Sequence, residues 1–151
     1  MSSTLDSGVK AGSGLTLKLL LLGFIAGFLA TPLGHQIRSL VLYYLVPGRN
    51  FPWNMAPNKA AYGLPAIINL SFWGGVWGII WALVYPYVPK NLGKWAVAFL
   101  FGGICATAFG AYVVTALKGA PMGSITWIGL LINGAWGLAN AFFYELFRKY
   151  C

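Results

Sequence analysis

Few side chains in this sequence could do chemistry, and the densest group of them surrounds one proline. Thr31, His35, Gln36 and Arg38 lie where an apolar stretch meets Pro32. His35 comes four residues after Thr31, so the two share roughly one face of a helix. An imidazole titrates near neutral pH, which makes this group a candidate for ligand binding or proton handling. A hydrogen-bonded histidine at a membrane interface is the alternative, and it is the more common situation.

Catalytic and metal-binding arrangements are missing from the sequence. His35 is the single histidine, which excludes an HExxH zinc site and a pair of axial histidines for haem within one chain. Of the two acidic residues, Asp6 lies in the N-terminal tail and Glu145 at the end of the last apolar stretch, so paired carboxylates inside a span are excluded. Cys105 and Cys151 lack metal-ligand spacing. We predict no catalytic residue, no metal and no cofactor, in a protein that is not an enzyme.

Composition places the chain in a membrane. Of 151 residues, 59% are hydrophobic and only 8% are charged, with a mean hydropathy of +0.74. So little charge cannot cover the surface of a water-soluble domain of this size. The net charge of +8 comes from cations in linkers and tails, where anionic lipids and topology account for them. We therefore expect the lipid bilayer, and no nucleic acid, as a partner.

Four apolar stretches predict an all-α integral membrane four-helix bundle. A flexible tail of residues 1–14 precedes a single transmembrane domain of residues 15–151. The predicted spans are about 15–38, 64–85, 95–117 and 126–147. Pro32 predicts a kink in the first helix, because proline removes a backbone donor and crowds the preceding turn. A signal peptide is the alternative interpretation of the first stretch.

An even number of spans puts both termini on one side of the membrane. That side carries six cations, against four on the other, and the excess predicts cytoplasmic termini. The six are Lys10, Lys18, Lys90, Lys94, Arg148 and Lys149.

Small residues follow one face of each predicted span, which lets neighbouring helices approach closely. The glycines predicted to pack are Gly23, Gly27, Gly34, Gly74, Gly78, Gly103, Gly110, Gly134 and Gly137. Residues 27–34 also match residues 103–110, and residues 75–78 match residues 134–137. The matches indicate a possible tandem two-helix repeat, with chance similarity between glycine-rich spans as the alternative.

Aromatic and amide side chains lie at mid-depth in two spans. Trp73 and Trp77 are too deep for an interfacial belt, so their indole donors need a partner inside the protein. Asn133 and Asn140 share one face of the fourth span, and an amide in hydrocarbon should face inward. Helix packing is the more common reason for both features, with ligand contact as the alternative.

The stretches 23–36, 72–78 and 131–137 resemble those of a group of small four-span bacterial membrane proteins of unassigned function. The resemblance covers most of the chain after residue 20. It implies a four-span topology and a bacterial inner membrane, and it implies no catalytic residue.

Three hypotheses for function follow. The leading one is a packing or interaction protein, either a homo-oligomer or an accessory subunit of a larger membrane complex, because glycine faces occur on all four spans. The alternative is a small transporter or channel lined by Asn133, Asn140 and Thr107. The third is binding of a lipid, quinone or pigment at Trp73 and Trp77. An enzyme acting on a lipid headgroup is the least favoured possibility.

Overall fold

The computed structural model describes residues 17–48, 51–53, 55–57, 62–117, 119, 121 and 123–150, and these residues form four helices and no strand. Helix α1 covers Leu17–Leu45. Helix α2 covers Ala66–Val84 and ends in a 3-10 turn, Tyr85–Tyr87. Helix α3 covers residues 93–117, and α4 covers Trp127–Tyr150. The tail predicted for residues 1–14 lies outside the described residues.

Three of the four helices in the described part are long and apolar enough to cross a membrane, namely Leu17–Leu45, Ala66–Tyr87 and Gly93–Val114. The chain is therefore an all-helical protein with three candidate membrane-spanning helices. Helix α4 is also long, but it carries two asparagines and a charged C-terminal turn.

Pro32 does not end the first helix. Residues Thr31–His35 form a π-helical turn, and the helix then continues to Leu45. A π turn is a common site of helix bending, because the wider turn leaves the regular hydrogen-bond ladder. The indole of Trp53 donates to the Pro32 carbonyl at 3.1 Å, which ties the following loop to this turn. Helix α1 thus extends beyond the predicted end near residue 38.

Helices α1 and α4 form the centre of the bundle. Helix α2 packs along α1, while α3 packs along α4, and few backbone contacts join α2 to α3. The buried core lies near the C-terminal ends of α2 and α4, and its members are Ala26, Trp81, Ala82, Ala98, Ala141 and Tyr144.

Glycine lets α1 and α2 touch backbone to backbone. A Cβ added to Gly78 would lie 3.0 Å from the Cα of Gly27, so neither residue tolerates a side chain. A Cβ on Gly75 would lie 2.7 Å from Cδ2 of Phe24, whose ring covers this glycine. We call this contact the first seam.

The contact between α3 and α4, the second seam, follows the same pattern. A Cβ on Gly137 would lie 3.2 Å from the Cα of Gly102, and a Cβ on Gly134 would lie 2.7 Å from Cδ2 of Phe99. Gly102 thus occupies the place that Gly27 has in the first seam. The sequence match had paired Gly27 with Gly103, one residue further along.

The predicted packing glycines differ in what they contact. Gly23, Gly27, Gly74 and Gly78 belong to the first seam, and Gly103, Gly134 and Gly137 belong to the second. Gly34 of α1 faces the Ala139 side chain of α4. Gly110 makes no such contact, because a Cβ there would meet nothing within 4 Å.

Candidate functional site

A cavity of about 160 Å³ lies at mid-depth among all four helices. We call it the central cavity. Its lining includes Thr31 and His35 from α1, Trp73 and Trp77 from α2, and Asn133 and Trp136 from α4. Helix α3 contributes small residues, Ala106 and Gly110. The structure therefore brings together five of the side chains that the sequence singled out on three separate helices.

Aromatic rings bridge the gap between α2 and α3 beside this cavity. The Trp77 ring centroid lies 5.4 Å from that of Phe101 and 5.4 Å from that of Phe109, in edge-to-face contact. Trp73 contacts the same Phe109 ring at 6.5 Å. Since few backbone contacts join α2 to α3, side chains alone separate the cavity from the outside along this line.

The tryptophans of the cavity differ in hydrogen bonding. Trp136 is nearly buried, and its indole N–H donates to the Gly27 carbonyl at 3.1 Å. Trp73 and Trp77 are half-buried, and their indole N–H groups have no acceptor within the described residues. The sequence predicts an acceptor inside the protein for these two donors, and the described residues do not supply one.

Amide side chains supply further polar groups. Asn133 donates one N–H to Thr107 Oγ1 at 2.8 Å, which leaves the second N–H and the carbonyl oxygen without a bond in the described part of the chain. Asn69, four residues before Trp73, also lines the cavity, and its amide makes no hydrogen bond to any described residue.

His35 and Thr31 complete the polar lining on α1. The Nδ1 atom of His35 is buried and has no hydrogen-bond partner among the described residues. Thr31 donates to the Gly27 carbonyl at 3.3 Å, within its own helix. Thr31 is thus internally satisfied, whereas His35 keeps unused hydrogen-bonding capacity.

The remaining candidate residues lie outside the cavity. Gln36 donates to the Pro52 carbonyl at 2.8 Å, and Arg38 donates to the Leu131 carbonyl at 3.1 Å. Both side chains therefore hold backbone segments in place. Asn140 is fully buried away from the cavity, and neither polar atom of its amide has a partner in the described chain.

The arrangement can bind a small molecule through aromatic rings and amide groups. No carboxylate or cysteine is among the described residues that line the cavity with His35, and the described residues contain no cluster of three metal-ligating side chains. Asn69 was missed at the sequence level, although an amide inside an apolar span is the signal that identified Asn133. Trp136 had been noted only within the repeat.

Comparison with known protein families, with curated proteins and with solved structures finds no match to this chain.

Proposed function

We propose that this protein binds a small, flat, polar-edged molecule from the membrane in the central cavity. The observation that carries the proposal is a cavity of about 160 Å³ that combines two unsatisfied indoles with two incompletely bonded amides. A cavity of about 150 Å³ is large enough to hold one aromatic ring of benzene size. The volume therefore favours a single-ring molecule over a multi-ring pigment.

The polar lining favours a ring that carries carbonyl or hydroxyl groups. Trp73 and Trp77 offer ring surfaces and indole donors, while Asn69 and Asn133 offer amide groups. The Trp73 and Trp77 indoles are half-buried, and a donor without an acceptor in apolar surroundings is costly, so a ligand oxygen that accepts from them would remove that cost. The head group of a membrane quinone has this chemistry, and its apolar tail would extend into lipid between α2 and α3.

Two asparagines provide a matched test of this proposal. Asn69 lines the cavity and Asn140 does not, and neither amide is bonded to the described residues. A benzoquinone with a decyl tail, titrated into the detergent-solubilised protein, should quench tryptophan fluorescence in a saturable manner. We expect Asn69→Leu to weaken binding roughly ten-fold, as loss of one hydrogen bond implies, and Asn140→Leu to leave it unchanged.

Asn133→Leu, which also breaks the bond to Thr107, should weaken binding as well. Quenching that never saturates, or equal affinity in Asn69→Leu and the unaltered protein, would exclude a ligand site at these residues.

The proposal of a packing or interaction protein has less support than the glycine content indicated. Both seams lie within one chain, where they account for most of the predicted packing glycines. A Cβ on Gly74 would lie 2.7 Å from the Gly27 carbonyl oxygen, so Gly74→Leu would disturb the fold before it could report on an oligomer. Self-association or a subunit role stays a prediction, to be measured by light scattering on the unaltered protein.

The transporter alternative is also weakened by the position of its lining residues. Asn133 and Thr107 bond to each other at 2.8 Å, whereas Asn140 lies outside the cavity. A continuous polar path through all three residues is therefore not supported. Flux into liposomes above that of empty liposomes would restore this hypothesis.

We also propose that α4 is a fourth span, in a bacterial inner membrane with both termini cytoplasmic. The inward position of Asn140 and Tyr144 supports insertion, because it removes polar atoms from the outer face of α4. Cations at the C-terminal end of α4 support the orientation. We expect a reporter that is active only in the cytoplasm to be active when it is fused after Cys151.

We further infer that the two helix pairs form a tandem repeat. The equivalent contacts of Phe24 with Gly75 and of Phe99 with Gly134 support this inference. Beyond the π turn Phe101–Ala106, Thr107 corresponds to Thr31, because a π turn inserts one residue into a helix. The one-residue change in register is then a local insertion within a shared pattern.

A further inference from the structure

A second concave surface lies at the end of the bundle where α2 and α4 finish and α3 begins. It is a groove of about 730 Å³, and none of the described residues that line it also lines the central cavity. Four cations border it, Lys90, Lys94, Arg148 and Lys149. We call it the basic groove.

One acidic residue, Glu145, faces these four cations, and an ion pair with Lys94 already neutralises its charge. The Lys94 ammonium lies 2.7 Å from one Glu145 carboxylate oxygen and 2.8 Å from the other. The Tyr85 hydroxyl donates to the same carboxylate at 2.8 Å. Lys94 and Glu145 are largely buried, with 16% and 28% of their side chains exposed. They form the neutral base of the groove.

The other three cations keep their charge. Within the described residues Lys90, Arg148 and Lys149 form no ion pair, and all three are exposed. The groove therefore has an excess of three positive charges. Cations confined to one concave surface repel one another unless an anion lies between them.

Arg148 is held in position by aromatic rings. Its guanidinium carbon lies 4.7 Å from the Tyr85 ring centroid and 5.7 Å from that of Tyr144. Both tyrosines line the groove, and Tyr144 is fully buried. Cation–π contact with a rigid ring fixes a guanidinium without neutralising it. Arg148 is thus ordered before any ligand arrives.

Part of the groove wall is apolar. Leu19 of α1, Ala82 of α2 and Val88, which follows the 3-10 turn, line the groove together with the cations. A molecule that fills the groove would meet both positive charge and hydrocarbon. An anionic phospholipid has that distribution of charge, and basic pockets between membrane helices bind such headgroups.

We propose that the basic groove binds the phosphate of an anionic phospholipid, with Lys90, Arg148 and Lys149 as its contacts. Free phosphate shares the headgroup chemistry but lacks the acyl chains that the apolar wall would contact.

The test is native mass spectrometry of the full chain in detergent, titrated with phosphatidylglycerol or with phosphatidylcholine. Phosphatidylglycerol should bind as a discrete adduct, and phosphatidylcholine should bind at least ten-fold more weakly. The double variant Lys90→Gln/Lys149→Gln should weaken phosphatidylglycerol binding roughly 25-fold, at about five-fold per cation near a membrane surface.

Lys118→Gln is the control, because Lys118 follows α3 in the sequence, whereas the basic groove lies where α3 begins. It should bind phosphatidylglycerol like the unaltered protein. Arg148→Gln is a second variant in the groove, and circular dichroism verifies that each variant is folded.

Equal binding of the two lipids, or equal phosphatidylglycerol binding in the double variant and in Lys118→Gln, would overturn the proposal. Thermal stabilisation by inorganic phosphate that matches stabilisation by phosphatidylglycerol would overturn the lipid assignment, because the apolar wall would then contribute nothing.

Discussion

Trp77 on α2 and Trp136 on α4 occupy equivalent places in the two helix pairs, yet they use their indole groups differently. Each follows a seam glycine by two residues, Gly75 in one pair and Gly134 in the other. The Trp136 N–H donates to the Gly27 carbonyl, which fastens α4 to α1. The Trp77 N–H reaches no acceptor in the described chain, and its ring contacts Phe101 and Phe109 of α3.

This difference in indole hydrogen bonding explains where the central cavity lies. Where the indole bonds to a neighbouring backbone, α1 and α4 close on each other. Where it does not, aromatic edges hold α2 and α3 apart and a partly open space is left. Equivalent positions at the cavity also differ, since Gly74 of the first pair corresponds to Asn133 of the second. Each pair thus contributes indole rings and one amide to the lining, Asn69 from the first pair and Asn133 from the second, and both pairs are needed for the site.

The largest effect should come from the seams. Gly78→Leu and Gly137→Leu would each place a side chain against the backbone of the paired helix, at a cost of roughly 3 kcal/mol or more. We expect both variants to lose most of their thermal stability in detergent and to elute early in size-exclusion chromatography. If one seam tolerated leucine and the other did not, the two pairs would not be structurally equivalent, and the repeat would lose its support.

A smaller effect should separate the two tryptophans. Trp136→Phe removes the bond to the Gly27 carbonyl and should lower the free energy of unfolding by about 1 kcal/mol. Trp77→Phe removes no hydrogen bond, so its unfolding temperature should change less. The measurement is thermal unfolding of both variants, followed by circular dichroism.

Binding should show the reverse order in the same pair of variants. Trp77→Phe removes a donor of a cavity-lining side chain that has no acceptor in the described chain, whereas Trp136→Phe removes one that is already bonded to the Gly27 carbonyl. Equal stability of the two variants would show that the bond to Gly27 contributes nothing.

Much of the fold could be predicted from the sequence because hydropathy and small-residue spacing are local properties. The spans 64–85 and 95–117 and the glycine faces of α2 and α4 follow from them directly. The length of α1 could not be predicted in this way. Pro32 predicts a kink but not how far the helix continues, and in the structure the helix goes on beyond the π turn at Thr31–His35 to Leu45.

The site was predictable only in part, for a related reason. Trp73, Trp77 and Asn133 could be found because each is conspicuous at mid-depth in an apolar span. Gln36 and Arg38 were grouped with His35 by sequence proximity alone. The carbonyls of Pro52 and Leu131 accept hydrogen bonds from these two side chains. Each carbonyl comes close to its donor only in the folded chain.

The smallest effect on stability, and the most specific one on binding, should come from Gly110. This glycine lines the central cavity, and a Cβ added to it would meet nothing within 4 Å. Gly110→Ala should therefore leave the fold intact, with a gain of up to about 1 kcal/mol because alanine is the better helix former. The added methyl group would occupy part of a cavity of about 160 Å³, so quinone affinity should fall while the unfolding temperature stays level or rises. Gly129→Ala is the control on α4, because Gly129 does not line the cavity. Stability and affinity changing together, or affinity unchanged in Gly110→Ala, would mean that the ligand does not occupy the α3 side of this cavity.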